Sequence, residues 1–363
     1  SKKILIKLSR NMKRSCFTDK RMDAAVYVRN KNMEEIIQGL FPRRTDRWEK
    51  EARVEQNEKF SMGELHEAGA RLRNGRAPDP DQMTPENIKI AVSTIPEAIL
   101  VIMNDLLQKQ VFPKEWKVAK VVLIPKSGKI IETTSAYRPT CLLDSISQLY
   151  EHLIAARIKK ELKNGGDLSR SQLGFREGRS TTDTVKKVLD IADVIRRRSG
   201  RRKNKCCVLT TIDVRNGFNS AFWAQIIKEL RKKKISQYLL NIISNYLKDG
   251  KIMIEDKVMD IKAGVPQRSV SGPLLWNILY DGIFQQLGVT TIGYADDLAL
   301  VIKADDQKQL KRRANAAMRI SKKLMTTNCL EIVQEKKEAI VLYGPRDRST
   351  LKFHSGGDTI QNG

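Results

Sequence analysis

The sequence has few of the residues that build disulfide frameworks and zinc sites, and it lacks the long apolar runs of membrane spans. Its 363 residues include five cysteines, an odd number without CxxC spacing, and three histidines without metal-ligand spacing. A disulfide framework or a zinc site is therefore not expected, and a reducing intracellular compartment fits best. No run approaches the ~18 apolar residues of a membrane span, and the apolar stretch at the start is too short and broken for a signal peptide.

Negative charge is also scarce. The chain has 67 Lys and Arg residues against 42 Asp and Glu residues, which gives a net charge of +25. Nucleic acid is the leading partner for such a chain, because a polyanion releases counterions when lysine and arginine bind it, and an acidic membrane surface is the second candidate. The densest basic clusters, Arg196–Lys205 and Arg231–Lys234, are equally compatible with solvated surface segments.

Local patterns predict strands with long helices between them and no internal repeat, which indicates an α+β fold. Ser61 and Glu64 are spaced as a capping box at the start of a helix. The predicted helices are Ser61–Arg73, Pro96–Val111, Gln148–Leu162, Thr181–Arg198, Phe222–Lys234, Gln237–Lys248, Gly272–Leu287 and Asp306–Met325. The predicted strands and hairpins are Val118–Ile124, Cys207–Asp213, Lys251–Ile261, Thr291–Ile302 and Leu330–Tyr343.

Three carboxylates stand at the ends of predicted strands. Asp213 ends an apolar strand, and Asp296 and Asp297 form the tip of the hairpin Thr291–Ile302. Carboxylates at strand ends suit hard cations such as Mg²⁺, which takes one or two of them and completes its shell with water and substrate phosphate. Two such ions ~3.5–4 Å apart can activate an attacking hydroxyl and stabilise the leaving group in phosphoryl transfer. Adjacent aspartates also occur in ordinary solvated turns, so the hairpin alone leaves both interpretations open.

The predicted hairpin contains YADD at residues 294–297, and the strand before Asp213 leads into TTIDVRNGFNSAFW at residues 210–223. With five further blocks, in order, these motifs resemble the reverse transcriptases of non-LTR (LINE-type) retrotransposons, most closely those that insert in insect ribosomal RNA genes. YADD at residues 294–297 is similar to the catalytic hairpin of that family, and TTIDVRNGFNSAFW at residues 210–223 is similar to the motif with its first metal aspartate. The other blocks are FPKEWKVAKVVLIPKSGK (112–129), AYRPTCLLDSISQLYEHLIAARI (136–158), LSRSQLGFREGRSTTDTV (168–185), GVPQRSVSGPLLWNILYDGI (264–283) and EKKEAIVLYG (335–344).

The resemblance implies catalytic roles for the carboxylates and for a lysine beyond them. Asp213 and Asp296 would be metal ligands, with Asp297 as a weaker third carboxylate. Lys336 would be an acid near the leaving pyrophosphate, and its neighbour Lys337 matches equally well. The implied cofactor is a pair of Mg²⁺ ions, with Mn²⁺ as a possible substitute.

The resemblance also implies a binding site for the incoming nucleotide. Phe218 would stack beneath its sugar and exclude a 2′-hydroxyl, although it could also be a core phenylalanine. Gln267 would contact the nucleotide. Lys126 and Arg138 would hold the triphosphate, or they are ordinary surface cations. Phe218 argues against a more distant alternative, a viral RNA-dependent RNA polymerase, because a smaller or polar residue would better admit a ribose.

The implied fold is a right-hand polymerase core of palm and fingers, with the thumb largely missing. Residues 1–60 would be a basic linker or N-terminal extension, residues 61–345 the fingers and palm, and residues 346–363 the truncated start of a thumb or connection, so that the chain is a fragment of a longer Pol protein. The implied partners are an RNA template, a DNA primer or target and deoxynucleoside triphosphates, with no membrane. The expected location is the nucleus, with assembly of the RNA–protein particle in the cytoplasm.

Several residues depart from the family pattern. Arg268 follows the PQ pair where the family usually has glycine, and Cys329 stands where glycine usually precedes the last hairpin. Ser271 replaces a usual leucine, and Asp79 and Gln82 replace two expected glycines. These departures support a second hypothesis beside RNA-directed DNA polymerase, namely a catalytically decayed nucleic-acid-binding remnant of such an element.

Overall fold

The computed structural model describes residues 38–41, 57–75, 83–126, 136–198, 206–255, 257–333, 338–343, 353–355 and 358–362. This part of the chain divides into two compact units, each assembled from separate stretches. The four-stranded unit contains the described parts of Met22–Asp167 and Phe218–Ile278. The six-stranded unit contains the described parts of Leu168–Gly217 and Leu279–Gly363.

The strands and helices follow one another in a mixed order. The strands are β1 (Val118–Pro125), β2 (Tyr137–Leu142), β3 (Cys206–Ile212), β4 (Lys251–Ile254), β5 (Lys257–Asp260), β6 (Thr290–Tyr294), β7 (Asp297–Ala304), β8 (Glu338–Tyr343), β9 (Phe353–Ser355) and β10 (Asp358–Asn362). The helices are α1 (Met62–Ala70), α2 (Pro85–Thr94), α3 (Pro96–Lys109), α4 (Ser145–Asn164), α5 (Thr181–Arg198), α6 (Gly217–Ser220), α7 (Trp223–Lys232), α8 (Gln237–Leu247), α9 (Ser271–Phe284) and α10 (Gln307–Thr327).

The four-stranded unit packs helices around a small sheet in the order β2-β1-β4-β5. β1 is antiparallel to β2 and parallel to β4, and β4 and β5 form a hairpin. The predicted capping box is present, because Ser61 Oγ accepts from the Glu64 backbone N–H at 3.2 Å and Glu64 Oε2 accepts from the Ser61 backbone N–H at 2.9 Å. The apolar side chains between the strands form one cluster: Ala119, Val121, Cys141, Leu143, Ile252 and Ile254.

The six-stranded unit is built on a sheet in the order β6-β7-β3-β8-β10-β9. β3 lies in its interior and is antiparallel to both β7 and β8. One face of the sheet packs against Val188 of α5 and against Leu173. Helix α10 packs along β7 and β3, and its residues Leu310 and Met318 are buried. Helices α5 and α10 therefore pack on the sheet, and the predicted metal ligands lie where β3 ends and where β6 turns into β7.

The predicted α+β class is confirmed, and one predicted element is wrong. The segment Leu330–Tyr343 was expected to be a hairpin, but its two described limbs do not pair with each other. Ile332 bridges to Val214, and β8 pairs along β3, so both limbs lie beside β3 and its continuation. The apolar pattern identified the strand β8 correctly, whereas the partner of β8 is a strand more than 100 residues earlier.

No single described helix is long and apolar enough to cross a membrane. Only α2 and α3 taken together, which are bent by 107° at their junction, reach the required length and composition.

Candidate active site

Three carboxylates lie at one edge of the six-stranded sheet. β6 and β7 form a hairpin whose two-residue loop is Ala295 and Asp296, and Asp297 is the first residue of β7. β3 is antiparallel to β7, and its register continued by one residue past the end of β3 places Asp213 opposite Asp297. All three aspartates are half-buried. The strand register thus places the three predicted metal ligands at the same end of the sheet.

Tyr280 lies against this edge from the last turns of α9. Its hydroxyl donates to the backbone carbonyl oxygen of Asp296 at 3.2 Å, and its side chain is fully buried. Burial raises the pKa of the Tyr280 phenol well above its usual value, and the negative charges of all three aspartates raise this pKa further. The Tyr280 phenol is therefore within electrostatic range of each of the three aspartates. Sequence reasoning did not assign a role to Tyr280.

The loop of the hairpin is held by a short segment, the strap (residues 171–174). The Leu173 N–H donates to the Gly293 carbonyl oxygen at 2.8 Å, and the Gly293 N–H donates to the Ser171 carbonyl oxygen at 2.8 Å. Gln172, which is 1% exposed, donates from Nε2 to the Ala295 carbonyl oxygen at 3.2 Å. The strap therefore forms hydrogen bonds with β6 and with Ala295, the loop residue directly before Asp296.

The strap also approaches the loop too closely for a side chain. A Cβ added to Gly174 would lie 2.1 Å from the Ala295 backbone nitrogen. Ala295 itself has φ +57°, a left-handed conformation that costs a residue with a Cβ about 1–2 kcal/mol. The loop conformation is thus unfavourable by itself, and contacts with the strap maintain it.

In the four-stranded unit, Phe218 lies in α6 and stacks on Trp276 of α9. The ring centroids are 5.2 Å apart with an interplanar angle of 22°. Trp276 is fully buried, whereas Phe218 is half-buried. The two interpretations of Phe218 are therefore compatible, because a phenylalanine supported on one face by an indole can still present its other face.

Gln267 belongs to a loop that is hydrogen-bonded to the segment around Phe218. Gln267 Nε2 donates to Asn219 Oδ1 at 3.1 Å, and the Val265 N–H donates to the Phe218 carbonyl oxygen at 2.8 Å. Gly264 has φ +91°, and a Cβ there would lie 2.7 Å from the Asn219 carbonyl oxygen. The close backbone approach therefore requires glycine at this position and brings two predicted nucleotide-binding residues, Phe218 and Gln267, next to each other.

Two positions where the family usually has glycine adopt left-handed backbone here. Arg268 has φ +75° and Cys329 has φ +59°. The chain thus retains a conformation that suits glycine although a larger residue is present, at a cost of about 1–2 kcal/mol for each. Asp79 and Gln82 lie outside the described residues.

Lys126 and Arg138 lie on one face at the end of the β1–β2 hairpin. Arg138 is opposite Ile124 in the register, and the Lys126 N–H donates to the Ala136 carbonyl oxygen at 2.7 Å. Since residues two apart in a strand point to the same face, Lys126 and Arg138 are diagonal neighbours. Lys126 is half-buried and Arg138 is exposed. The structure therefore pairs these two predicted phosphate-binding cations.

A buried carboxyl group supports the start of α9. Glu151 is 1% exposed, and its Oε2 accepts from the Ser271 backbone N–H at 2.7 Å. Its Oε1 has no hydrogen-bond partner in the described part of the chain. Burial raises the pKa of Glu151 to about 7, although the hydrogen bond from Ser271 lowers it. The residue that replaces the usual leucine, Ser271, thus begins α9 and is bound by Glu151.

Glu151→Gln is expected to flatten the pH dependence of stability. The unfolded carboxyl ionises near 4.5 and the folded one near 7, so its contribution to the free energy of unfolding is lost as pH rises through 7. The decline should be about 3 kcal/mol. Urea unfolding at pH 5 and pH 8 measures it, with the exposed Glu115→Gln as control. An equal decline in both variants would contradict this role.

A comparison with known families decides what this arrangement belongs to. Residues 124–354, more than half of the chain, match the family described as "Reverse transcriptase (RNA-dependent DNA polymerase)". The chain belongs to the reverse transcriptase family. The matched range contains the carboxylate edge, the strap, Phe218 and Gln267.

Individual relatives of this reverse transcriptase come from insect transposable elements. It is 30% identical over 261 residues to "Probable RNA-directed DNA polymerase from transposon BS" of Drosophila melanogaster, which covers 67% of this chain and 28% of that protein. It is 23% identical over 293 residues to the Pol polyprotein of the R1 element of Bradysia coprophila, a match that covers 78% of this chain and 28% of that protein. It is 26% identical over 257 residues to the "RNA-directed DNA polymerase from mobile element jockey" of Drosophila funebris, a match that covers 67% of this chain and 27% of that protein.

These relatives confirm the resemblance to the reverse transcriptases of non-LTR retrotransposons, and with it the enzyme class by family. The finer placement with elements that insert in ribosomal RNA genes stays a prediction. The chain spans little more than a quarter of the length of these relatives.

Reverse transcriptases generally use divalent metal ions, and the carboxylate edge fits that chemistry. In the described part of the chain, no group of three or more His, Cys, Asp or Glu side chains is arranged so that it could hold a metal ion. Mg²⁺ does not need one, because one or two carboxylates suffice when water and substrate phosphate complete its shell. Half-buried aspartates provide the hard oxygen ligands that such an ion prefers.

Sequence reasoning on this reverse transcriptase missed the residues that position others. Tyr280, Gln172, Gly174 and Glu151 all lie within the quoted family blocks, but their contacts are 16 to 123 residues away along the chain. Lys336 lies outside the described residues, so its predicted role stays a prediction.

Proposed function

We propose that this reverse transcriptase domain catalyses RNA-directed DNA synthesis, adding deoxynucleotides to a primer 3′-hydroxyl with two Mg²⁺ ions. The observation that carries the proposal is the convergence of Asp213, Asp296 and Asp297 at one sheet edge around Tyr280. Three neighbouring negative charges repel one another, and a fold retains them where a cation relieves the repulsion.

In this proposal the residues of the edge have separate tasks. Asp213 and Asp296 bind the ions, Asp297 assists, and Tyr280 fixes the backbone of the loop through the Asp296 carbonyl oxygen. The bound ions would activate the primer hydroxyl and stabilise the charge on the leaving pyrophosphate. Lys336 would give a proton to that pyrophosphate.

The nucleotide is proposed to be bound by residues of the four-stranded unit. Lys126 and Arg138 would bind its triphosphate from one face of the β1–β2 end. Phe218, supported by Trp276, would contact the sugar and exclude a 2′-hydroxyl, and Gln267 would contact the nucleotide. The ring support matters because a stacked phenylalanine cannot easily move aside to admit a larger sugar.

The finer features of the family are proposals of the same kind. The six-stranded sheet would be the palm, and the sheet of β1 and β2 would belong to the fingers. An RNA template, a DNA primer or target and deoxynucleoside triphosphates would be the partners, with Mn²⁺ able to replace Mg²⁺. The nucleus would be the place of action, after particle assembly in the cytoplasm.

One observation favours the alternative of a decayed remnant. Arg268, directly after Gln267, occupies a left-handed position with φ +75°. Its long cationic side chain replaces a hydrogen atom in a loop bonded to the Phe218 segment. A chain impaired only here would still bind nucleic acid through its positive charge.

Primer extension on an RNA template with Mg²⁺, by this chain and by Arg268→Gly, tests the proposal. We expect both to extend the primer, and Arg268→Gly to do so faster and to melt several degrees higher, because glycine removes about 1–2 kcal/mol of backbone strain. Extension by Arg268→Gly alone would establish a single inactivating substitution. Extension by neither, with RNA binding intact, would contradict the polymerase proposal and favour the remnant.

A further inference from the structure

Helix α10 has an unusually basic composition. Its sequence, QKQLKRRANAAMRISKKLMTT, contains seven lysine and arginine residues and no acidic residue. At 100° per residue, six of these cations fall within an arc of ~120°. They form the basic face: Lys308, Lys311, Arg312, Arg319, Lys322 and Lys323, all exposed.

The basic face points away from the sheet. Leu310, Ala314, Met318 and Met325 are at most 1% exposed and lie on the other side of the helix. In the described part of the chain, none of the six cations forms an ion pair with an acidic side chain. The buried apolar residues attach α10 to the sheet, and this packing does not depend on which residues occupy the exposed side. Packing therefore does not explain why six cations are present there.

The basic face has the length of several phosphates. From Lys308 to Lys323 the helix rises about 22 Å, at ~1.5 Å per residue. One strand of duplex DNA presents a phosphate every ~3.4 Å of axis, so a nucleic-acid strand with similarly stacked bases places about six phosphates along the face. Six cations matched to about six phosphates is the complementarity that a nucleic-acid backbone offers.

The basic face leads toward the carboxylate edge. β7 runs from the edge to Ala304, and α10 returns along the sheet to Thr327. The next residues bond to the Asp213 segment, since the Val333 N–H donates to the Asp213 carbonyl oxygen at 2.9 Å. The C-terminal end of α10 is therefore within six residues of a contact with a proposed metal ligand.

We propose that the basic face of α10 binds the phosphate backbone of an RNA strand outside the catalytic edge. The choice of RNA rests on the proposed function, in which the template is the polyanion that remains bound during synthesis. A membrane surface fits less well, because a helix that lies on lipid exposes an apolar side. In α10 that side is buried against the sheet, and Ile320, 42% exposed, is its only large apolar residue among those exposed.

The test is RNA binding without metal or nucleotide, so that it does not depend on catalysis. The probe is a fluorescein-labelled, unstructured 40-nucleotide RNA, titrated by fluorescence anisotropy at several salt concentrations. The variant combines Lys311→Gln, Arg312→Gln, Arg319→Gln and Lys322→Gln. The control removes four exposed charges elsewhere: Lys160→Gln, Lys163→Gln, Lys228→Gln and Lys248→Gln. Circular dichroism checks that both fold.

We expect the variant to bind RNA at least about tenfold more weakly than the control, with a salt slope smaller by about 3, because four phosphate contacts are lost. Equal affinity and slope in the two proteins would overturn the proposal. Unchanged RNA binding with a loss on duplex DNA, or on phosphatidylserine vesicles, would overturn it in favour of that surface. If the parent chain binds RNA through α10 but never extends a primer, only the proposed polymerase function fails.

Discussion

Asp296→Asn is expected to lower the rate of primer extension by more than about a hundredfold, since even the loss of a residue behind a metal ligand costs 10–100-fold. Asparagine has the shape of aspartate but no charge for a cation. The loop should keep its conformation, because Tyr280 and the strap bind its backbone and not the Asp296 side chain. Asp297→Asn should cost less, as befits a third carboxylate.

The matched control is Asp305→Asn, an exposed aspartate just beyond the other end of β7. Thermal melting adds a readout that does not depend on activity. Mg²⁺ should raise the melting temperature of the parent chain, because a ligand of the folded state stabilises it, and should raise that of Asp296→Asn less. In EDTA, Asp296→Asn should melt no lower than the parent, since one repelling charge is gone. Extension at the parental rate would exclude Asp296 as a metal ligand.

Gly174→Ala is expected to damage the site from outside it. The new methyl carbon would lie 2.1 Å from the Ala295 backbone nitrogen, so the strap or the hairpin loop must move. Overpacking of this kind costs about 1–3 kcal/mol of stability. Because the loop contains Asp296, we also expect a fall in kcat at temperatures well below the melting transition.

The control for the substitution itself is Gly63→Ala, where an added Cβ meets only Ser61 Oγ at 3.9 Å. Combining Gly174→Ala with Ala295→Gly should restore part of the rate, since glycine accepts the left-handed φ of +57° and adapts more easily. If Gly174→Ala lowers the melting temperature but keeps full kcat, the strap stabilises the fold and does not position the hairpin.

The sequence predicts the elements of this fold whose cause is local. The capping box of Ser61 and Glu64 lies within four residues. The β6–β7 hairpin is also local, because a loop of only two residues joins its strands. The carboxylate pair at that tip and the strand before Asp213 were therefore identifiable, and the register of β3 and β7 then brings them together.

The features that sequence reasoning missed depend on distant partners. The pattern of Leu330–Tyr343 predicts a hairpin, but its described limbs pair with β3 and with Val214 instead of with each other. A local sequence pattern does not show which distant strand a segment will pair with. Likewise, the sequence around Gln172 does not indicate its role, because its hydrogen-bond partner Ala295 is 123 residues away along the chain. Arg268 is a different case, because it stands where the family usually has glycine and the structure shows a left-handed backbone at this position.

The distance between the strap and its hairpin has a consequence for synthesis of the chain. Gln172 leaves the ribosome 123 residues before Ala295 does. At 5–20 residues per second, the strap waits about 6–25 s for the strand that it binds. During that interval its backbone donors and acceptors are open to any other extended segment, including one from a neighbouring nascent chain. The hairpin that contains Asp296 thus cannot pair with the strap until its own residues have been synthesised, and shortening that delay should favour correct assembly over aggregation.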